Sequence, residues 1–190
     1  MKLKQLDVAD VVEITPARHG DDRGYFSETF RDDWFRANVA DMTFVQENQS
    51  LSRAVGVVRG LHFQSQPAAQ GKLVRCVAGA IFDVAVDIRR GSPTFGKWVA
   101  ATLTADEGNQ LWVPVGFLHG FCTLAPDTIV SYKVTSYYDR SSDKGVAWND
   151  PDIGVAWPEL ADPETLSPKD RQQPSLRELP AYFDFAAAEN

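Results

Sequence analysis

Histidine is the residue of this chain best suited to proton transfer, because its ordinary pKa lies close to neutrality. The sequence contains three: His19, His62 and His119. A lone histidine on a β-strand is more often a hydrogen-bonded structural residue, so its neighbours must decide between the two roles. His62 and His119 lie in glycine-containing segments, and they are the candidates for chemistry.

His119 completes a spaced pattern of Gly, five residues, Pro, one residue, Gly, two residues and His. The pattern consists of Gly108, Pro114, Gly116 and His119. It is typical of cupins, in which two strands and a tight turn aim the histidine into a barrel mouth. A metal-binding cupin would also have His-x-His, whereas His62 is followed by Phe63 and Gln64. Because a catalytic metal site usually has about three protein ligands, we expect no metal here.

Other polar side chains accompany the histidines in segments that read as strands. They are Arg23, Glu28, Gln46, Asn48, Arg59, Lys72, Lys97, Tyr132 and Lys133. Alternation puts Lys72 on the face of Val74 and Cys76, and Tyr132 on the apolar face of its own strand. A lysine or tyrosine on an inward face is unfavourable unless it is paired or functional. Both residues are therefore candidates for the site.

Strict alternation would put Arg59 and His62 on opposite faces of one strand. A glycine inside a strand is a usual place for a β-bulge, and Gly60 lies between these two residues. We therefore expect a bulge at Gly60 that turns both side chains to the same face.

Short β-strands must position these residues. From about residue 44 to residue 138 the sequence alternates with period two, as in the run from Phe82 to Arg89, and glycines separate the runs. This pattern indicates an antiparallel sandwich or barrel, and the absence of a βαβ rhythm disfavours Rossmann and TIM folds.

The two ends of the chain differ from this middle part. Residues 1–20 predict one or two short strands, and residues 32–40 predict a short helix. Residues 150–190 are rich in proline, with helix starts at Asp162 and Ser167. We expect one domain over residues 1–190, in which 150–190 is a loop and short-helix extension packed on the core.

Composition narrows the function classes. The 190 residues suit one domain, and the net charge of −7, from 26 acidic and 19 basic residues, disfavours nucleic-acid and membrane-surface binding. A few converging cations could still hold a small anion. The two cysteines fit a reducing compartment, and neither a signal peptide nor a run of ~20 apolar residues is evident. We expect a cytoplasmic protein.

An ordered series of motifs runs from about residue 16 to residue 170. The motifs are Asp22-Arg23-Gly24-Tyr25-Phe26-x-Glu28-x-Phe30, Gln46-Glu47-Asn48-Gln49-Ser50-Leu51-Ser52, Gly56-Val57-Val58-Arg59-Gly60-Leu61-His62-Phe63-Gln64, Gln70-Gly71-Lys72-Leu73-Val74, Asp87-Ile88-Arg89-Arg90-Gly91-Ser92-Pro93-Thr94-Phe95-Gly96, Pro114-x-Gly116-Phe117-x-His119-Gly120-Phe121, Tyr132-Lys133, Trp148-Asn149-Asp150-Pro151 and Leu166-Ser167-x-Lys169-Asp170. Together they resemble the dTDP-4-dehydrorhamnose 3,5-epimerase family. The resemblance implies a dimeric, mainly β, cupin-like antiparallel jelly roll with a few short peripheral helices, and neither a metal nor an organic cofactor. It implies inversion at C3 and C5 of dTDP-4-keto-6-deoxy-D-glucose, giving dTDP-4-keto-L-rhamnose for polysaccharide biosynthesis.

The resemblance also assigns roles. His62 would be the base, oriented by Asp170, which could also be the acidic end of a capping box. Lys72 would face the developing enolate oxygen, and Tyr132 would deliver a proton to the opposite face of the ring. The residues that match substrate contacts are Arg23, Glu28, Gln46, Asn48, Arg59, His119 and Lys169. The family commonly has Glu where this chain has Asp143, so the contact of that shorter side chain with substrate is in doubt.

Three alternatives remain open. A mono-epimerase on the same fold would invert only C3 or only C5 in a deoxysugar pathway. A non-catalytic cupin would bind a nucleotide-sugar or another sugar without proton exchange. A metal-dependent cupin oxygenase would require a bound iron or another metal.

Overall fold

The computed structural model describes residues 1–8 and 10–185, so the last five residues of the predicted 150–190 extension lie outside the described part. The strands are β1 (Lys2–Gln5), β2 (Val12–Thr15), β3 (His19–Asp21), β4 (Gly24–Phe26), β5 (Gln46–Ser52), β6 (Val58–Gln64), β7 (Lys72–Ala78), β8 (Ala80–Asp87), β9 (Trp98–Thr104), β10 (Gln110–Val113), β11 (Phe117–Thr123), β12 (Thr128–Val134) and β13 (Asp143–Gly145). One helix, α1, spans Asp32–Asn38, which confirms the helix predicted for this segment. Within the described residues, no helix has the length and apolarity needed to cross a bilayer.

Two antiparallel sheets face each other. The first has the order β1-β2-β10-β7-β12-β5 and the second β13-β6-β11-β8-β9, while β3 and β4 form a separate hairpin. Strands that are neighbours in sequence, such as β5 and β6, lie in different sheets. This arrangement confirms the predicted mainly β, cupin-like jelly roll.

Two apolar layers cover both faces of the second sheet. Val74 and Val130 of the first sheet pack on Ala85 and Phe121 of the second, in a fully buried cluster between the sheets. On the other face of the second sheet, Val84 and Leu118 pack against side chains from the C-terminal segment, including Leu176 and Phe183. The strands between these layers, β8 and β11, therefore form the rigid centre of the molecule.

The bulge predicted at Gly60 is present. His119 of β11 pairs with His62 of β6, and Phe121 pairs with Arg59, so two steps along β11 match three along β6. Gly60 has φ 131°, and a Cβ there would stand 2.6 Å from Cα of Gly120. Only glycine fits this close approach, and the extra residue turns Arg59 and His62 toward the same cavity.

The C-terminal segment forms single 3₁₀ turns rather than longer helices. The first turn, Pro163–Thr165, begins at the predicted start, with Asp162 as its cap. The second, Asp170–Gln172, begins after Lys169 and not at the predicted Ser167, and a third spans Leu176–Glu178. Prolines recur every five to seven residues in this segment and remove the backbone donors that a longer helix would need.

Candidate active site

Two adjoining cavities lie between the sheets. The larger, of about 270 Å³, is lined by Ser50, Arg59, His62, Lys72, His119, Phe121, Tyr132, Ser167, Lys169 and Asp170. The smaller, of about 160 Å³, is lined by Asn48, His62, Phe63, Gln64, Gln70, Lys72, Tyr132, Tyr138, Asp143 and Lys169. The shared residues make them one site, which contains the four predicted catalytic residues and five of the eight predicted substrate contacts.

His62 and Asp170 form a close pair. Nε2 of His62 lies 2.5 Å from Oδ1 of Asp170, and the Asp170 side chain is almost fully buried. Burial by itself would raise the pKa of Asp170. The hydrogen bond and charge of His62, the Ser167 hydroxyl and the nearby Lys169 together lower it. The ionised carboxylate can only accept, so it holds the Nε2–H tautomer and leaves Nδ1 of His62 as the free basic nitrogen.

Asp170 also keeps the capping contact that its sequence context predicts. Its backbone N–H donates to Oγ of Ser167 at 3.1 Å, at the start of the second 3₁₀ turn. The turn fixes the backbone of Asp170 while the side chain reaches His62. Only the Ser167 half of the predicted capping box is therefore present, because the Asp170 carboxylate bonds His62.

Lys72 begins β7 and points into the cavity from the first sheet. It follows the face of Val74 and Cys76, as alternation predicts, because both lie in the core between the sheets. Desolvation lowers the pKa of Lys72 to about 8, although the charges of Asp143 and Asp83 act in the opposite direction. A poorly solvated cation strongly stabilises an anion that forms beside it.

Tyr132 lies on β12, the neighbour of β7 in the first sheet, and pairs with Asn48 of β5. Burial raises its pKa, which the charge of Arg59 and a hydrogen bond with Asn48 partly offset. The phenol is therefore protonated at neutral pH and can donate. Tyr132 belongs to the first sheet and His62 to the second, so the acid and the base approach the cavity from different sheets.

A second histidine–carboxylate pair, which the sequence interpretation missed, stands beside the first. Nε2 of His119 lies 2.8 Å from Oδ1 of Asp83, a fully buried residue whose Oδ2 has no hydrogen-bond partner among the described residues. His119 is the cross-strand neighbour of His62. A charged residue inside the otherwise apolar run of β8 was the signal in the sequence that could have revealed Asp83.

The remaining predicted contacts of the cavity are mainly charged. Nζ of Lys169 pairs with Oδ2 of Asp143 at 2.5 Å, and Arg59 is exposed at the rim, where its guanidinium donates to Oγ of Ser52. Gln46 lines neither cavity, but its Nε2 donates to Oδ1 of Asn48. The net negative chain thus has three cations, Arg59, Lys72 and Lys169, around one cavity.

Arg23 and Glu28 do not join this cavity. Arg23 connects β3 and β4, its side chain is 89% exposed, and it pairs with Asp21. Glu28 is exposed just after the same hairpin. The sequence therefore predicts two contacts that this chain's own fold does not bring to the cavity.

Other lining residues were not singled out from the sequence. They are Ser50, Phe63, Gln64, Gln70, Phe121, Tyr138 and Ser167. Among residues 1–8 and 10–185, no group of three or more His, Cys, Asp or Glu side chains is placed to hold a metal ion.

The arrangement suits removal of a proton next to a carbonyl group. His62 supplies a base, Lys72 a cation for the oxygen that becomes negative, and Tyr132 a proton donor. Arg59 and Lys169 supply the positive charge that phosphate groups require.

Comparisons with known proteins show which family the chain is similar to. A model of the dTDP-4-dehydrorhamnose 3,5-epimerase family matches residues 5–178. A dTDP-4-dehydrorhamnose 3,5-epimerase of Sinorhizobium fredii is 58% identical over 185 residues, covering 97% of this chain and 94% of that protein.

Solved structures are similar as well. A dTDP-6-deoxy-D-glucose-3,5-epimerase from Legionella pneumophila, in complex with dTDP-4-keto-L-rhamnose, superposes with a TM-score of 0.92 at 40% identity, covering 98% of this chain and 99% of that chain. A 3'-monoepimerase from Streptomyces bikiniensis, in complex with dTDP-quinovose, has a TM-score of 0.83 at 33% identity, covering 91% and 87%.

Proposed function

The chain belongs to the dTDP-4-dehydrorhamnose 3,5-epimerase family, and we propose that His62, Lys72, Tyr132 and Asp170 form its catalytic centre. The reaction is the inversion of C3 and C5 of dTDP-4-keto-6-deoxy-D-glucose to give dTDP-4-keto-L-rhamnose, a step of dTDP-L-rhamnose biosynthesis. The observation that carries the proposal is the His62–Asp170 pair, 2.5 Å apart, in one cavity with Lys72 and Tyr132.

The mechanism follows from the C4 ketone, which acidifies the hydrogens on both C3 and C5. Nδ1 of His62 takes the proton, the C–H electron pair becomes a carbon–carbon double bond, and the carbonyl electrons move to the oxygen. Lys72 stabilises the resulting enolate. The Tyr132 hydroxyl then donates its proton to the opposite face of the carbon, and the carbonyl re-forms. Proton exchange with solvent resets His62 and Tyr132.

The substrate's diphosphate requires cations at the edge of the same site. Arg59 is exposed at the cavity and Lys169 is 45% exposed, so both can reach a ligand from solvent. Their placement supports a role in diphosphate binding. Asn48 and His119 line the cavities and supply hydrogen-bonding groups for the sugar and the nucleoside, and Gln46 holds Asn48 through its amide. Asp143 engages Lys169 and Tyr138, so its contact with substrate stays a proposal.

We propose a homodimer because Arg23 and Glu28, which are predicted to contact substrate, lie away from the cavity of their own chain. The hairpin that carries Arg23 also carries Tyr25 and Phe26, which are 60% and 72% exposed. Aromatic side chains this exposed favour burial against another protein surface. We infer that the hairpin packs on a second copy and places Arg23 and Glu28 at that copy's cavity.

Mixed subunits test the dimer. A His62→Asn chain and an Arg23→Ala chain are each expected to be impaired alone. In a mixed dimer, the site with intact His62 would receive intact Arg23 from the other subunit, so activity should rise when the two are unfolded and refolded together. The measurement is epimerase activity before and after mixing, and activity equal to the average of the two parents would contradict the arrangement.

Tyr132→Phe is expected to separate proton removal from inversion. Phenylalanine keeps the ring but has no proton to donate, so His62 should still exchange substrate hydrogen with solvent while inverted product forms slowly. A general acid contributes ~10²–10⁴ in rate, and product formation should fall within that range. Deuterium uptake and product configuration, followed together by NMR, check it. Equal loss of both would count against separate base and acid roles.

Two broader expectations belong to the proposal. We propose one domain with the C-terminal segment as its extension, because Leu176 and Phe183 pack directly on the second sheet. We propose a cytoplasmic location, supported by two buried free thiols, Cys76 and Cys122.

Conversion of the substrate tests the function. Incubation with dTDP-4-keto-6-deoxy-D-glucose should give dTDP-4-keto-L-rhamnose by NMR. A mono-epimerase would give a product inverted at one carbon, and a sugar-binding cupin would bind the substrate and return it unchanged.

A further inference from the structure

Gln64 is a buried amide at the end of β6, two residues beyond His62. It is only 3% exposed. Its Nε2 donates to the carbonyl oxygens of Ala68 at 2.6 Å and Tyr137 at 3.1 Å, and its Oε1 accepts from the backbone N–H of Asp139 at 2.8 Å. Both N–H groups and the oxygen of the amide are therefore used, and the partners fix its orientation.

Two of these three bonds hold the segment between β12 and β13, residues 135–142. They flank Tyr138, because they engage the carbonyl of Tyr137 and the amide of Asp139. Tyr138 is 59% exposed and lines the smaller cavity. Gln64 therefore fixes the backbone on both sides of an aromatic side chain at the mouth of the site.

Tyr138 connects this backbone to two of the predicted substrate contacts, Gln46 and Asp143. Its backbone N–H donates to Oε1 of Gln46 at 3.2 Å, and its hydroxyl donates to Oδ2 of Asp143 at 3.1 Å. The same Oδ2 accepts from Nζ of Lys169. A displacement of Tyr138 would thus disturb one polar residue on β5 and one ion pair on the opposite side of the cavity.

The ends of the segment have anchors of their own. Nε2 of Gln70 donates to the carbonyl oxygen of Ser136 at 2.7 Å. The backbone N–H of Ser65 donates to the carbonyl oxygen of Ser142 at 2.9 Å. Loss of the Gln64 amide would therefore loosen the middle of the segment and leave both ends attached. The change would be local to the mouth of the cavity.

We propose that Gln64 is a positioning residue for substrate binding: it holds the segment that carries Tyr138 against Gln46 and Asp143. The proposal rests on the proposed function, since it concerns the affinity of the same site for a dTDP-sugar. Gln64 touches none of the four proposed catalytic residues through a hydrogen bond, so its effect should fall on binding rather than on proton transfer.

Gln64→Glu is the sharpest test, because it keeps the shape and the acceptor and replaces the two donors with an oxygen that faces two carbonyls. KM for the dTDP-sugar and Kd for dTDP should rise ~10-fold or more, as expected when about one good hydrogen bond is lost. The turnover number, measured as deuterium uptake at saturating substrate, should stay within ~3-fold of the parent.

Asn109 provides a matched control away from the cavity. It is 1% exposed, its Nδ2 donates to Oε1 of Glu13 and to the carbonyl of Thr102, and its Oδ1 accepts from the N–H of Thr104. Asn109→Asp removes the same kind of amide donors from a buried site. Asn109→Asp should lower the melting temperature and leave KM and Kd unchanged. If Gln64 had only a structural role, Gln64→Glu would show this same result.

The Tyr138→Ala background tests the route. If Gln64 acts through Tyr138, Gln64→Glu should change KM little in that background. A loss of turnover with KM unchanged, or full additivity with Tyr138→Ala, would overturn the proposal. If Gln64→Glu does not fold, Gln64→Met can replace it, because methionine removes the donors without adding charge. The same measurements and the same expected results then apply to Gln64→Met. A parent protein that fails to bind dTDP or to exchange hydrogen would instead refute the proposed function.

Discussion

Replacing His62 with asparagine is expected to lower the rate of hydrogen exchange at the sugar, and of epimerisation, by ~10²–10⁴-fold, the usual contribution of a general base. Asparagine places its amide where Nδ1 of His62 stood and does not reach Oδ1 of Asp170, which lies 2.5 Å from Nε2 in the parent, so the buried carboxylate loses this partner. The loss that the exchange rate reports is that of the basic nitrogen. Steady-state kinetics and deuterium uptake on the same preparations measure the effect.

Binding and folding are the controls for His62→Asn. The affinity for dTDP should remain near that of the parent, because Arg59 and Lys169 at the cavity are unchanged. The melting temperature should fall, because the buried Asp170 loses its partner, but a cooperative transition would show that the variant is folded. Exchange that persists within ~10-fold of the parent rate would remove His62 from the role of base, since a missing general base is expected to leave a larger deficit.

Replacing Lys72 with methionine is expected to lower kcat by ~10²–10³-fold, the loss seen when one preorganised donor to an oxyanion is removed. The same change should raise stability near pH 7. Desolvation lowers the pKa of Lys72 to about 8 in the folded protein, against 10.5 for the free side chain. The charged amine therefore lowers the free energy of unfolding, and methionine, which has no charge to desolvate, removes this penalty.

The sign of the pH dependence follows. Below about pH 8 Lys72 carries its proton in both the folded and the unfolded protein, and its full destabilising effect is present. Between that pH and the pKa of the unfolded chain, the folded protein releases the proton first, so stability rises with pH. The stability advantage of Lys72→Met should therefore shrink in thermal melts as pH rises toward 10.5.

Activity should show the opposite trend. In the parent protein, kcat/KM is expected to fall as pH rises through about 8, because the neutral amine no longer stabilises an enolate. Burial raises the pKa of Tyr132 from its ordinary value, so its loss of the proton comes later. A Lys72→Met variant that retains kcat within ~10-fold of the parent would contradict the assigned role.

Local sequence signals were sufficient to place the inward-facing residues of the site. Period two put Lys72 and Tyr132 on inward faces, and the glycine between Arg59 and His62 indicated the bulge that turns both into the cavity. Each of these inferences needs only a few neighbouring residues, because side-chain direction and bulges are set within one strand.

The role of Asp83 could not be predicted from these local signals. Alternation separates the two faces of β8, but both faces are covered, one by the first sheet and the other by the C-terminal segment. With apolar partners on both sides, the pattern does not say which face meets the cavity. The contact between Asp83 and His119 joins two strands 36 residues apart and depends on the tertiary fold.

Arg23 and Glu28 show a different limit. Motif resemblance predicts that they contact substrate, but it does not predict whether they do so in the cavity of their own chain or of a second copy. Their exposed positions on and just after the β3–β4 hairpin became informative only once the cavity of this chain had been located elsewhere.

We propose that one centre, with His62 as base, exchanges and inverts both carbons next to the ketone. The most direct measurement is incubation of the parent protein with dTDP-4-keto-6-deoxy-D-glucose in deuterated water, followed by NMR and mass analysis of the product. We expect deuterium at both C3 and C5, with inverted configuration at both carbons. Deuterium at only one carbon, or at neither, would contradict the claim.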